Sequence, residues 1–152
     1  MASFSKGTGY RTPFGKNEFL RSTVGLKHES YTYSADEHPD VTVDGAATKV
    51  LQPGTVVAQI TSGANTGKFG PFQAGALDGR QTAANIVGLA QTFLPWQLTE
   101  RDVEIGVLYG CTAVQANCIE YDAAGAPIPL SDTTATALVA QKGMSITFAP
   151  HA

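Results

Sequence analysis

Apolar and polar positions alternate at period two in several short stretches of this chain. The clearest is Asp102-Val103-Glu104-Ile105-Gly106-Val107-Leu108, where Val103, Ile105 and Val107 point one way and Asp102, Glu104 and Gly106 the other. Ser30-Tyr31-Thr32-Tyr33-Ser34 alternates polar with aromatic, so both tyrosines share a face. Val41-Thr42-Val43 repeats the pattern briefly, and Met144-Ser145-Ile146-Thr147-Phe148 closes the chain with it. Residues 55–61, entered through the turn signal Gln52-Pro53-Gly54, read as a strand, and a second begins at Ile86-Val87-Gly88-Leu89. Gly63 to Gly67 is a turn. Gly125-Ala126-Pro127-Ile128-Pro129 excludes both a helix and a central strand.

Helical spacing occurs once. Ser131 or Asp132 can cap a helix whose apolar stripe is Ala135, Leu138 and Val139, and Gly143 after Lys142 is its stop. The front of the chain has neither period. Its first forty residues hold seven residues of the Met, Phe, Leu and Val set, and Gly7, Gly9, Pro13 and Gly15 interrupt any regular element. Such a segment buries too little apolar surface to offset the entropy of ordering it. The pattern therefore predicts a flexible N-terminal arm over residues 1–23 and a β-rich domain over 24–152.

Composition agrees with a single domain dominated by strands. The chain has 152 residues, 43% hydrophobic and 15% charged, with 16 Gly and 8 Pro that imply many turns. No apolar run approaches the length needed to span a bilayer. The N-terminus lacks the apolar core of a signal peptide, so the expectation is a chain made and folded in the cytoplasm, without a membrane. Charge is divided unevenly. Residues 1–27 carry Lys6, Arg11, Lys16, Arg21 and Lys27 against Glu18 alone, a balance of +4, while the remainder carries −7. A basic front end on an acidic body suits a negative partner: nucleic acid, a membrane or an acidic protein surface. Cys111 and Cys118 are too few for a structural zinc site and are expected as reduced, packed thiols.

Chemistry-bearing motifs fail on inspection. Gly63-Ala64-Asn65-Thr66-Gly67-Lys68-Phe69 imitates a phosphate loop, but its glycines are one residue too close and Phe69 stands where Ser or Thr must bind magnesium. A hairpin-like turn is the better reading. Asp102 and Glu104 share a strand face without the contrasting environments that acid–base work needs, and read as solvated. His28, His38 and His151 are scattered in polar or terminal contexts. No nucleophile elbow surrounds any serine. We expect no enzyme, no catalytic residues, no metal and no cofactor. The dense apolar loop of Phe93, Leu94 and Trp96 admits two readings, a core plug or a subunit contact.

Four segments taken together resemble the lambda-type head decoration proteins of bacteriophages. They are residues 51–61, Gly67-Lys68-Phe69-Gly70-Pro71-Phe72, Asp78-Gly79-Arg80-Gln81-Thr82-Ala83, and the run from Asp132 through Ala137-Leu138 to Lys142-Gly143-Met144. The resemblance runs from about Ser30 to Phe148. The front end departs from it by about twenty extra residues, and the loop holding Trp96 is longer. The resemblance implies a mainly β fold with one short C-terminal helix, a small β-barrel or β-tulip-like decoration domain. It implies a homotrimer on the outer capsid surface of the virion, at local three-fold positions. There it would bind the major capsid protein and stabilise the expanded shell against the pressure of DNA. Under it, the basic, aromatic front end makes Phe14, Phe19, Arg21, Tyr31 and Tyr33 the expected capsid-binding residues. Phe93, Leu94 and Trp96 are then the expected trimer interface. No direct nucleic-acid contact follows from it. The competing expectation is a nucleic-acid-binding β module, since Phe4, Tyr10, Phe14 and Phe19 interleave with Lys6, Arg11, Lys16 and Arg21.

Overall fold

The computed structural model describes residues 18–149. Ten strands and one α-helix occur among them: β1 (Leu20–Tyr33), β2 (Val41–Val43), β3 (Ala46–Thr48), β4 (Val56–Gln59), β5 (Phe69–Pro71), β6 (Ile86–Ala90), β7 (Val103–Val114), β8 (Ile119–Tyr121), β9 (Pro127–Pro129), α1 (Asp132–Ala140) and β10 (Ser145–Ala149). The fold is mainly β, with its helix near the C-terminus and its main sheet closed into a ring, as in a small β-barrel. Around the ring, β7 pairs antiparallel with β1 and β6, β6 with β4, and β4 with β5. The last junction is a single parallel pair, Tyr33 with Phe69. β10 lies parallel to the second half of β7, from Gly110 to Val114. β2–β3 and β8–β9 are separate two-stranded pieces. Pro127 and Pro129 occupy β9, a strand paired on one side only, which spares the missing donors.

Alternation continues past Leu108, but with a change of phase. His28 pairs with Leu108 and Lys27 with Gly110, so Tyr109 has no residue opposite it. That extra residue is a β-bulge. It puts Leu108, Cys111 and Ala113 on one face, although Leu108 and Cys111 are three apart. This face packs under α1 with Phe19, Val56, Ile86, Cys118, Leu130, Leu138 and Ile146. The opposite face holds Ile105 and Val107 with Tyr33, Leu51, Val57, Phe69, Leu94 and Leu98. Two apolar clusters thus sit on the two faces of one sheet.

The domain begins earlier than its pattern suggests. β1 starts at Leu20, within the expected arm, and Phe19 is buried against Gly54. Gly54 has φ +89°, and a Cβ there would come within 2.9 Å of the Phe19 side chain. That close approach explains both the glycine and the burial. Composition could not reveal it, because Phe19 and Gly54 meet only through tertiary structure. The helix is as expected in position. Ser131 caps it by accepting the Thr134 amide at 3.2 Å. Its stripe is narrower than predicted: Ala135 and Leu138 are buried, while Val139 stays 52% exposed.

Candidate interaction surface

β1 is the longest strand, and most of its residues are exposed. One edge is bonded to β7 along its length. Its other edge meets a described strand only at Tyr33, beside which the Ser34 amide donates to the Phe69 carbonyl at 2.8 Å. Between Leu20 and Thr32 that edge presents backbone donors and acceptors to solvent, among the described residues. Such an edge is a template for pairing with another chain. It is also irregular. Ser22 pairs with Thr112 and Lys27 with Gly110, so residues 23–26 face Cys111 alone. The excess bulges outward, with Gly25 at φ +74° and Val24 85% exposed. Arg21, Lys27, His28, Glu29 and Ser30 are exposed along the strand. Lys27 and Arg21 give it a basic bias that continues the charge of the preceding segment.

The expected capsid-binding residues divide on this frame. Arg21 is exposed. Tyr31 is half-buried, its ring 4.3 Å from that of Phe69 and its hydroxyl donating to Glu29 at 2.9 Å. Burial first, then Glu29, pushes the Tyr31 hydroxyl up to about 12. Phe19 and Tyr33 are core residues, at 3% and 0% exposure, so their side chains are not available for contact. They were expected outside because both lie in or beside a polar segment, yet each reaches a different apolar cluster. Phe14 lies outside the described residues. The expected trimer loop divides as well. Leu94 is a core plug that exchanges backbone hydrogen bonds with Leu51 at 2.9 and 3.0 Å. Phe93 is half-buried, and Trp96 is 43% exposed.

Polar groups cluster instead near the start of β7. Arg80 is buried and donates through Nε to both Asp78 carboxylate oxygens at 3.0 Å, and through its terminal nitrogens to Glu37 Oε2 (3.1 Å), Gln73 Oε1 (3.2 Å) and the Glu37 and Pro71 carbonyls (both 3.3 Å). Three separate stretches of chain, around residues 37, 71–73 and 78–80, are tied by one guanidinium, whose rigid fork of donors suits that task. Asp102 was expected to be solvated. It accepts from Lys68 Nζ at 2.6 Å and from the Ala35 amide at 2.8 Å. The Lys68 hydrogen bond, followed by the Ala35 amide, holds its carboxyl below the usual range.

His38, read as lying in a polar setting, is buried. Its Nε2 donates to the Val50 carbonyl at 2.8 Å, which leaves Nδ1 to accept from the Tyr33 hydroxyl at 2.7 Å. The Tyr121 ring meets it edge-on, 5.5 Å between centroids. Burial, with the Lys49 and Arg80 charges adding to it, lowers the imidazole to about 4 against the Val50 hydrogen bond.

The phosphate-loop imitation is a connection between the antiparallel strands β4 and β5. Ile60 donates to Lys68, Gly67 to Ile60 and Thr66 to Gly63. Both thiols are buried and unbridged, and burial pushes Cys111 up to about 11 and Cys118 to about 12. Neither is poised as a nucleophile. Among the described residues, no three His, Cys, Asp or Glu side chains are grouped as metal ligands. No family model, curated protein or solved structure matches this chain.

Proposed function

We propose that this chain is a structural virion protein that binds the outer surface of an expanded phage capsid as a trimer. It binds at local three-fold positions and stabilises the shell against internal DNA pressure. The observation that carries the reading is the open edge of β1, which runs on from a basic N-terminal segment. A sheet edge joined by an extended partner gains main-chain hydrogen bonds without reactive groups. The partner is the major capsid protein, whose surface supplies the complementary strand and acidic charge. Trp96 and Phe93 provide the exposed apolar contact between subunits, with Leu94 bracing them from the core. Three copies of one weak site, held together, raise avidity by roughly 10²–10⁴. A protein that binds only the expanded shell stabilises that shell by mass action. The order of the four resembling segments supports the same assignment.

Undecorated expanded shells incubated with the full-length protein test this. Occupancy of three-fold positions in electron micrographs and protection of the shell against heat are expected. Charge reversal at the edge, Arg21→Glu with Lys27→Glu, is expected to weaken occupancy at least tenfold while the protein stays folded. Shells that remain bare with the wild-type protein would end the proposal. The nucleic-acid reading is favoured instead if single-stranded DNA binds and its affinity falls steeply with salt.

A further inference from the structure

A polar pocket of about 250 Å³ spans β1, β7 and β6 and is bounded by the turn after α1. Glu29 and Tyr31, two apart on β1, share a face. Tyr31 is held from two sides, by the Phe69 ring and by its hydrogen bond to Glu29. Tyr109 is the extra residue of the β7 bulge, and a bulge re-aims the side chain it carries. Ile86 and Val87, at the start of β6, supply an apolar wall. The remaining wall is residues 141–144. Gln141, directly after α1, donates to the Ala84 and Ile86 carbonyls at 3.0 and 3.4 Å, which ties the turn to the start of β6. Gly143 takes φ +83°, and Lys142 and Met144 on either side of it both line the pocket.

Charge narrows what such a pocket can hold. Glu29 and Lys142 are its two charged residues, opposite in sign, and neither forms an ion pair among the described residues. A cationic guest would meet Lys142, and an anionic one would meet Glu29. A wholly apolar guest would strip water from both charges and replace none of it. A neutral polyhydroxyl compound escapes all three costs. Its hydroxyls donate to the carboxylate, its oxygens accept from the ammonium, and its C–H face packs on a phenol ring. Size narrows the choice again. The pocket falls below the range of about 300–1,000 Å³ typical of drug-sized ligands, which suits a single sugar ring. An apolar groove along α1, beside Val139 and Phe148, is larger, but its apolar walls select no particular guest.

We propose that this pocket binds one neutral pyranose ring, with Glu29 and Lys142 holding its hydroxyls and Tyr109 against its C–H face. The inference does not rest on the capsid reading, and its experiment uses no shells. Isotope-labelled full-length protein is titrated with the methyl glycosides of glucose, galactose and mannose and followed by NMR. At least one glycoside is expected to bind with a Kd on the order of 1 mM, the range open to about a dozen non-hydrogen atoms. Amide shifts should be confined to residues 29–31, 86–87, 109 and 141–144. Glu29→Ala and Lys142→Ala, both at exposed positions, should keep the fold and each weaken binding at least threefold. Tyr109→Ala should weaken it at least tenfold. A trisaccharide ending in the same ring separates two sources of the guest: a glycan terminus binds at least as tightly as the single ring, and a free sugar binds more tightly than the trisaccharide. No saturable shift with any of the three glycosides, shifts centred elsewhere, or Glu29 and Lys142 variants that bind like the wild type would overturn the proposal. Tighter binding of choline, acetate or glycine betaine than of every glycoside would overturn it in favour of a charged guest.

Discussion

The start and the end of β7 are finished in opposite ways. At Val103 the strand emerges among charged and hydrogen-bonded groups: Asp102 with Lys68 and Ala35, then Arg80 with Asp78 and Glu37 close by. At Val114 it ends beside the anchored Glu18 and Phe19 and an apolar groove that no described element fills. The first arrangement is closed. Its polar atoms find partners within the domain, and a guanidinium with 6% of its side chain exposed is only tolerable because they do. The second arrangement is open among the described residues, with apolar surface uncovered and the β1 edge unpaired. The contrast separates what holds the domain from what is left for contact.

Removing Arg80 is the most severe way to break that contrast. Arg80→Met keeps the stem and deletes the charge, leaving the Asp78 and Glu37 carboxylates without their cation. Breaking a buried pair costs about 3–5 kcal/mol. The lower end is expected here, because Glu37 is partly exposed and water can recover some of its solvation. Urea denaturation should show the midpoint falling with little change in slope. A loss under about 1 kcal/mol would mean that the polar end does not hold the domain together.

Next in size is the response to acid, which tests the closed end without deleting a charge. His38 has an ordinary value of 6.5 and about 4 in the fold. The unfolded chain therefore binds more protons between these two values. Stability from this group is complete above pH 6.5 and is lost as pH falls toward 4, with no further loss from it below that. The span corresponds to about 3 kcal/mol. The groups facing the ring are Tyr33, Tyr121, Lys49 and Arg80. Neither tyrosine titrates in this window, because burial raises both. His38→Gln should flatten the stability profile between pH 6.5 and 4, measured as urea midpoints. A profile as steep as that of the wild type would assign the acid response to other groups.

Much of the fold was legible because strand alternation and helix capping are local. β4, β6, the first half of β7, α1 and β10 all fall where period and turn residues predict them. What escaped depends on distant partners. The Tyr109 bulge is defined only against β1, and it hid the second half of β7 behind a broken period. Phe19 looked like part of an arm because Gly54, which makes room for it, is thirty-five residues away. Arg80 was visible only as one member of the segment Asp78-Gly79-Arg80-Gln81-Thr82-Ala83. Its role needed residues 37, 71 and 73 to converge on it. The open edge was half legible. Basic charge in residues 1–27 singled out a stretch that includes the start of β1, but an unpaired edge is a property of the sheet and not of β1 itself.

Ser131 offers the mildest probe, aimed at the open end. Its hydroxyl accepts from the Thr134 amide and donates to the Thr134 hydroxyl at 3.1 Å, and that hydroxyl in turn reaches Glu120 at 3.0 Å. Glu120, almost fully buried on β8, also accepts the Ser131 amide at 2.6 Å. One carboxylate thus fastens the first turn of α1 to β8, and the cap completes the link. Ser131→Ala removes only the hydroxyl and should cost about 1 kcal/mol. The Glu120 bond to the backbone survives, so the loss should stay local: faster amide exchange in the first turn of α1, and an unchanged acid profile from His38. Fraying that spread to the Arg80 region would show that the two ends of β7 are coupled through the sheet. An effect confined to α1 would show that the groove's wall can loosen while the closed end stays shut, which a contact surface built on a rigid base requires.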